Sequence, residues 1–288
     1  MSDLEKYRKS LDKNNDGLVS LDEYLARETS KGPKAKVGSI DYDYQDFNNI
    51  YNYFLIALKN IKKFKILCVP NFTIEFDDEY VDRAALLYDV GKNEIIYGNN
   101  MKKAIKDCIC KKNDKKCKNV RFIYFSLIIS FPGSKSYHST HSNIVLIDLK
   151  NKTFERFEPQ GSSSDRIADN KLINQKINSK FQNKVMKDLG LKKYSYISPN
   201  KISPELGIQA VGDSFCGMCV TISMMYLQMR ILNPDIPQKK LVKFIMERPK
   251  YKLKEMILKY AKHVEETLKK HKYYVLDLLN EVFEELEE

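Results

Sequence analysis

The chain contains no tryptophan, and only 4 of its 288 residues are histidine. It also lacks any apolar run near the roughly 20 residues that a bilayer-spanning helix needs, which excludes a transmembrane helix. Its opening, Met1-Ser-Asp-Leu-Glu, is charged from the start and shows no signal peptide. Without a secretory signal, the six cysteines (Cys68, Cys108, Cys110, Cys117, Cys216, Cys219) are expected to be reduced. The expected setting is the cytoplasm or nucleus, or a viral factory or virion, and not the secretory route. Cys108, Cys110 and Cys117 have no identifiable fourth ligand, so they read as incidental rather than as a zinc site.

What is present is ordinary for a globular protein of one large or two small domains: 43% hydrophobic and 30% charged residues. The net charge of +11 reads first as a solvated lysine surface, and it leaves an acidic partner such as nucleic acid open. No membrane partner is expected.

Residues 12–23, Asp-Lys-Asn-Asn-Asp-Gly-Leu-Val-Ser-Leu-Asp-Glu, fit the EF-hand loop. Asp12, Asn14 and Asp16 supply side-chain oxygens, and Gly17 permits the sharp turn. Leu18 offers its carbonyl, Ser20 takes the often water-bridged place, and Glu23 closes the ring of ligands. A hard cation needs six or seven oxygens, which one short loop delivers only at this spacing, so Ca²⁺ capacity is expected. No second copy of the loop is visible, although EF-hands usually work in pairs.

The organisation expected from composition is an EF-hand-like helix–loop–helix at 1–30, a linker at 31–39 and a mainly helical segment at 40–118. A core at 119–235 and C-terminal helices at 236–288 follow. Apolar spacing predicts helices over 46–65, 78–89, 100–110 and 165–190, and strands at 66–69, 72–76, 94–97 and 194–198. The run 120–131 is the strongest strand. It is followed by strands at 141–148 and 153–158 joined by a Lys150-Asn-Lys turn. A hairpin of that register places His141 and Glu158, 17 residues apart, at one edge of the sheet.

A Pro-containing loop, 199–208, leads to Gln209-Ala-Val-Gly-Asp-Ser-Phe-Cys216-Gly-Met-Cys219, which runs into an apolar helical segment through 232. Asp213 or Ser214 is placed to cap that helix. A thiol at a helix head faces the positive end of the dipole, which favours thiolate. Further helices are expected at 238–247, 250–270 and 273–287. His138 rivals His141 but lies in the preceding loop. Asp148 lies at the far end of the strand from His141, and Glu155 falls on the opposite face from Glu158. Cys216-Gly-Met-Cys219 also has the form of a redox pair, but a thioredoxin-like fold needs strands after that helix, where the pattern is helical.

The order His141, Glu158, Gln209, Cys216 resembles the adenain/ubiquitin-like-protease group of cysteine peptidases, over about residues 120–235. The resemblance implies an α+β, papain-like or adenain-like core, with a mixed sheet packed on a central helix headed by the catalytic cysteine. The N- and C-terminal helical extensions lie outside it. It implies Cys216 as nucleophile, His141 as acid–base, Glu158 as its orienting carboxylate and Gln209 in the oxyanion hole, with no cofactor for catalysis. The implied function is a viral-type endopeptidase acting at a Gly-containing site in a polyprotein or a ubiquitin-like, SUMO-type substrate. An acyltransferase with the same residues, or a silent Ca²⁺-dependent interaction module, is the alternative. The missing tryptophan, with Ser142 after His141, argues against the tryptophan-clamped channel of the SUMO-specific branch.

Overall fold

The computed structural model describes residues 3–28, 51–56, 66–76, 80–109, 120–132, 140–163, 169–212 and 218–271. At its centre is β6 (Phe122–Ser130), in which every residue is buried. β6 pairs antiparallel with β7 (Thr140–Asp148), and β7 with β8 (Thr153–Phe157), as the Lys150–Lys152 turn predicts. β9 (Ser195–Ile197) joins β8 in parallel. On the other side β4 (Ala85–Asp89) runs parallel to β6 and β5 (Glu94–Ile96) closes the edge. The order is β5-β4-β6-β7-β8-β9, with the short β1 (Leu67–Cys68) also paired to β6. β2 (Thr73–Phe76) and β3 (Tyr80–Arg83) form a separate hairpin.

Strand alternation sends side chains into two cores. Phe122, Tyr124, Ile144 and Leu146 face one layer, while Ile123, Phe125, Val145 and Ile147 face the other. The second layer is covered by α3 (Met101–Cys108) and α4 (Asn170–Lys180), the latter continuing as a π-turn at Phe181–Val185. Each fully buried side chain of this kind contributes about 1.5–3 kcal/mol of transfer free energy before entropy is counted. The first layer is filled by α7 (Cys219–Leu232), all 14 residues of which are buried. It packs on β7 and is backed by α8 (Gln238–Met246) and α9 (Lys250–Lys270), the helices expected after Pro237 and Pro249. The architecture is the expected α+β one: a mixed sheet packed on a central helix.

Three expectations need correction. Of the helix expected at 78–89, the described residues 80–89 are not helical: β3 and β4 occupy them, and Ala84 bends between the two with φ +47°. Ala85, Leu86 and Leu87 suit a helix in isolation, but a slot between β5 and β6, buried on both faces, takes any apolar run. The segment 199–208 is not all loop, since Pro199–Ile202 forms the short helix α5. The cysteines are not all reduced: Cys68 and Cys108 form a disulfide, because the end of β1 meets the end of α3 with 5.8 Å between the Cα atoms. The 40 residues separating them conceal this proximity in the sequence, and Cys108 is removed as a zinc ligand. Cys110, Cys117, His138, the linker 31–39 and the helix at 273–287 lie outside the described residues, as does 46–65 except for helical residues 51–56. No helix among the described residues is long and apolar enough to cross a membrane.

Candidate active site

Four segments meet at one end of the sheet. His141 opens β7 opposite Ile129, and Glu158 directly follows β8, so the hairpin brings base and carboxylate together. His141 Nε2 and Glu158 Oε1 are 2.5 Å apart, and both side chains are buried. Two further donors hold Glu158: Asn143 Nδ2 donates to Oε2 at 2.8 Å and the Gln160 backbone N–H to Oε1 at 2.9 Å. Glu158 is thus a fixed acceptor, oriented from three directions.

The other neighbour of His141 is the thiol of Cys219, which lies close enough to favour the charged ring. Cys219 is buried and is the first residue of α7, at the positive end of its dipole. Burial alone would pull the His141 pKa down. The Glu158 carboxylate and the Cys219 thiol outweigh it and push the imidazole up to about 10. Burial would likewise raise Glu158, but the facing imidazolium, Arg156 and the Gln160 N–H hold it below its ordinary value. The two directions agree: histidine and glutamate form a buried imidazolium–carboxylate pair.

Gln209 reaches the site through an interlock of two loops. Gln209 N donates to Pro159 O at 2.8 Å, and Gly207 N to Gln160 O at 2.7 Å, which ties the approach to Gln209 onto the turn after Glu158. The approach is so close that a Cβ on Gly207 would lie 2.4 Å from Gly161 N. Gly161 also needs its freedom, with φ at +103°. Gln209 is buried, and it stands in the short helix α6 (Ile208–Gly212) rather than in a loop.

The sequence-assigned residues therefore divide. His141 and Glu158 meet beside Cys219 at the head of α7, and the backbone of Gln209 is tied to the turn that follows Glu158. Cys216, with Asp213 and Ser214, lies outside the described residues, and the thiol seen on His141 is Cys219. Asp148 and Glu155 are excluded as partners of His141. They bind the buried Arg230 of α7 at 3.5 and 3.2 Å, on the other face of the hairpin. Asn143 and Arg156 were missed. The signal was available: they stand two residues from His141 and Glu158 along strands of period two, on the same face.

The 12–23 loop joins α1 (Asp3–Leu11) to α2 (Leu21–Glu28), as expected. Gly17 has φ +79°, Asp12 accepts from the Asp16 and Gly17 N–H groups, and Glu23 accepts from those of Lys13 and Ser20. No group of three or more His, Cys, Asp or Glu side chains among the described residues is gathered as a metal site. The loop docks on the end of α7. Val19 N donates to Asn233 Oδ1 at 2.8 Å, and Asn233 Nδ2 donates to Val19 O at 2.9 Å.

No known protein family matches the sequence, and no curated protein does. Among solved structures the chain is similar to ChlaDub1 from Chlamydia trachomatis, with 11% identity and a TM-score of 0.46 over 78% of this chain and 93% of that one. A second structure of the effector protein ChlaDUB1 from Chlamydia trachomatis gives 11% identity and 0.43, covering 78% and 85%. The Chlamydia abortus effector protein ChlaDUB gives 17% identity and 0.26, covering 52% and 68%. The chemistry of the site rests on its own residues: an imidazole held between a buried carboxylate and a thiol at a helix head.

Proposed function

We propose that the chain is a cysteine peptidase that cleaves a peptide or isopeptide bond by covalent catalysis. The observation that carries this reading is the buried His141–Glu158 pair presented to the head of α7. In the resting pair His141 already holds the proton of the thiol, and the thiolate attacks the scissile carbonyl carbon. The resulting oxyanion accepts hydrogen bonds from the Gln209 side-chain amide and a backbone N–H at the helix head. His141 then protonates the leaving amine. Water, deprotonated by the same imidazole, hydrolyses the thioester and frees the cysteine. Glu158 holds the ring and stabilises its charged form throughout.

The nucleophile in this reading is Cys216, as the motif assigns. The nearness of the Cys219 thiol to His141 supports a second reading, in which Cys219 carries the acyl group. The substrate is a Gly-containing site, in a ubiquitin-like tail or a viral polyprotein. The test is turnover of ubiquitin, SUMO and Gly-Gly peptide conjugates by the wild type, Cys216→Ser, Cys219→Ser and His141→Ala. Hydrolysis abolished by His141→Ala and by one cysteine variant supports the peptidase and names the nucleophile. Acetyl transfer from acetyl-CoA without hydrolysis would replace it with an acyltransferase.

We also propose that Asp12, Asn14, Asp16, Leu18, Ser20 and Glu23 hold Ca²⁺. The all-oxygen donor set fits a hard cation. The reciprocal Val19–Asn233 pair gives the lone loop a second support, on the helix that heads the site. Calorimetric titration with Ca²⁺ should show one site per chain that Glu23→Gln weakens. No heat in the wild type would remove the proposal.

A further inference from the structure

Arg156 is fully buried on β8, and its hydrogen bonds go to neutral oxygens. Nη1 donates to Asn143 Oδ1 at 2.6 Å. Nη2 donates to Asn174 Oδ1 at 2.7 Å and Asn178 Oδ1 at 3.0 Å, and Nε to the Tyr196 hydroxyl at 3.2 Å. Burying a guanidinium without a directly bonded carboxylate is costly, so its charge needs compensation nearby. That compensation lies one amide away. Asn143 accepts from Arg156 and donates to Glu158 at 2.8 Å, and Glu158 in turn meets His141 at 2.5 Å.

An Asn amide has two ends of similar shape, and either could face a carboxylate if nothing chose between them. Here Arg156, a donor only, takes the oxygen end, so the NH₂ end must face Glu158. A flipped amide would set NH₂ against the guanidinium and a carbonyl against the carboxylate. The polarity of the chain therefore runs one way, from guanidinium through amide and carboxylate to imidazole.

We infer that Asn143 and Arg156 are positioning residues: Arg156 fixes the orientation of the Asn143 amide, and Asn143 fixes the Glu158 carboxylate so that Oε1 faces His141. The inference rests on the peptidase reading for its effect on turnover, but not for its effect on His141 itself. Asn174 and Asn178 lie on α4, so the same bonds also tie that helix to the sheet. The test must separate positioning from this structural tie.

The variants are Asn143→Leu and the double variant Asn143→Leu/Arg156→Met. The double variant replaces both partners with apolar groups of similar size, so that neither is left unpaired. Tyr196→Phe is the control, since it breaks contacts of Arg156 and Asn178 on the side away from Glu158. Folding is checked by thermal melting, and the His141 ring is followed by NMR through a pH titration without substrate. Losing a donor to its charged form raises a carboxylate pKa. The low-pH step sensed at His141 should therefore move up by about one pH unit in both Asn143 variants and stay in place in Tyr196→Phe. The acid limb of kcat/KM should move with it, while kcat falls about tenfold or more and KM holds. Folded Asn143 variants with an unmoved step, or an equal shift in Tyr196→Phe, would overturn the inference. A wild type without turnover, alongside Asn143 variants that show the shifted step, would instead count against the peptidase reading alone.

Discussion

His141 and Glu158 are 17 positions apart in the chain and 2.5 Å apart in space, and one two-stranded turn accounts for the difference. The charge pair they form sets the expected pH behaviour. Because the folded-state pKa of His141 is raised to about 10, its contribution to stability is complete below the unfolded value near 6.5 and is lost as pH rises through 10. The alkaline limb of kcat/KM should therefore fall near pH 10 rather than near 7. Glu158→Gln should remove that displacement and lower kcat by on the order of 10³- to 10⁴-fold, as loss of an orienting carboxylate does elsewhere. A variant with an unchanged alkaline limb would show that Glu158 does not hold the proton on His141.

Arg230 secures α7 at its other end. It is buried between Glu155 and Asp148 and donates to the Pro234 carbonyl at 2.8 Å, just past the helix stop. Removing Arg230 leaves the buried Glu155 without its cation, while Asp148 keeps Arg121 at 3.1 Å. Arg230→Met should cost about 3 kcal/mol in urea denaturation, and adding Glu155→Gln should recover part of it. A single variant within 0.5 kcal/mol of the wild type, roughly the effect of a surface change, would contradict this role.

His263 on α9 is half-buried, with the rings of Tyr24 and Tyr53 edge-on to it at 5.6 and 5.9 Å. Burial pulls its pKa down to about 4. The unfolded chain takes up this proton first, so stability should fall as pH drops from about 6.5 towards 4, by at most about 3 kcal/mol. His263→Phe should flatten that part of the stability curve. A slope equal to that of the wild type would point to other groups.

The glycine interlock gives a sharper structural expectation. A Cβ at Gly207 would lie 2.4 Å from Gly161 N and 2.5 Å from Pro159 O, both backbone atoms that cannot swing away. Gly207→Ala should cost about 1–3 kcal/mol and displace Gln209, so kcat falls more than KM rises. Unchanged turnover would separate Gln209 from the chemistry.

How much of this was legible in the sequence depended on the range of the interaction. The hairpin, the buried helix 219–232 and the helices after Pro237 and Pro249 follow from local pattern, and so does the meeting of His141 with Glu158. Residues 78–89 misled because alanine and leucine carry helical propensity, whereas their state is set by strands β5 and β6 beside them. Cys68 and Cys108, Val19 and Asn233, and Gly161 and Gly207 are contacts across 40 to 214 residues, and no local pattern records them. Asn143 and Arg156 were within reach of period-two reasoning, but buried asparagine and arginine carry no motif. The nearness of Cys219 to His141 was hidden because the motif centres on Cys216, three positions earlier in the chain.

The most direct measurement is intact-mass analysis after exposure to electrophilic probes built on ubiquitin, SUMO or a Gly-Gly peptide. Wild type, Cys216→Ala, Cys219→Ala and His141→Ala would be compared, each with Ca²⁺ and with chelator. One probe adduct per chain, lost in His141→Ala and in one of the two cysteine variants, is the predicted result, and the surviving variant identifies the nucleophile. Labelling that persists in His141→Ala, or is absent from the wild type with every probe, would contradict a thiol activated by the His141–Glu158 pair.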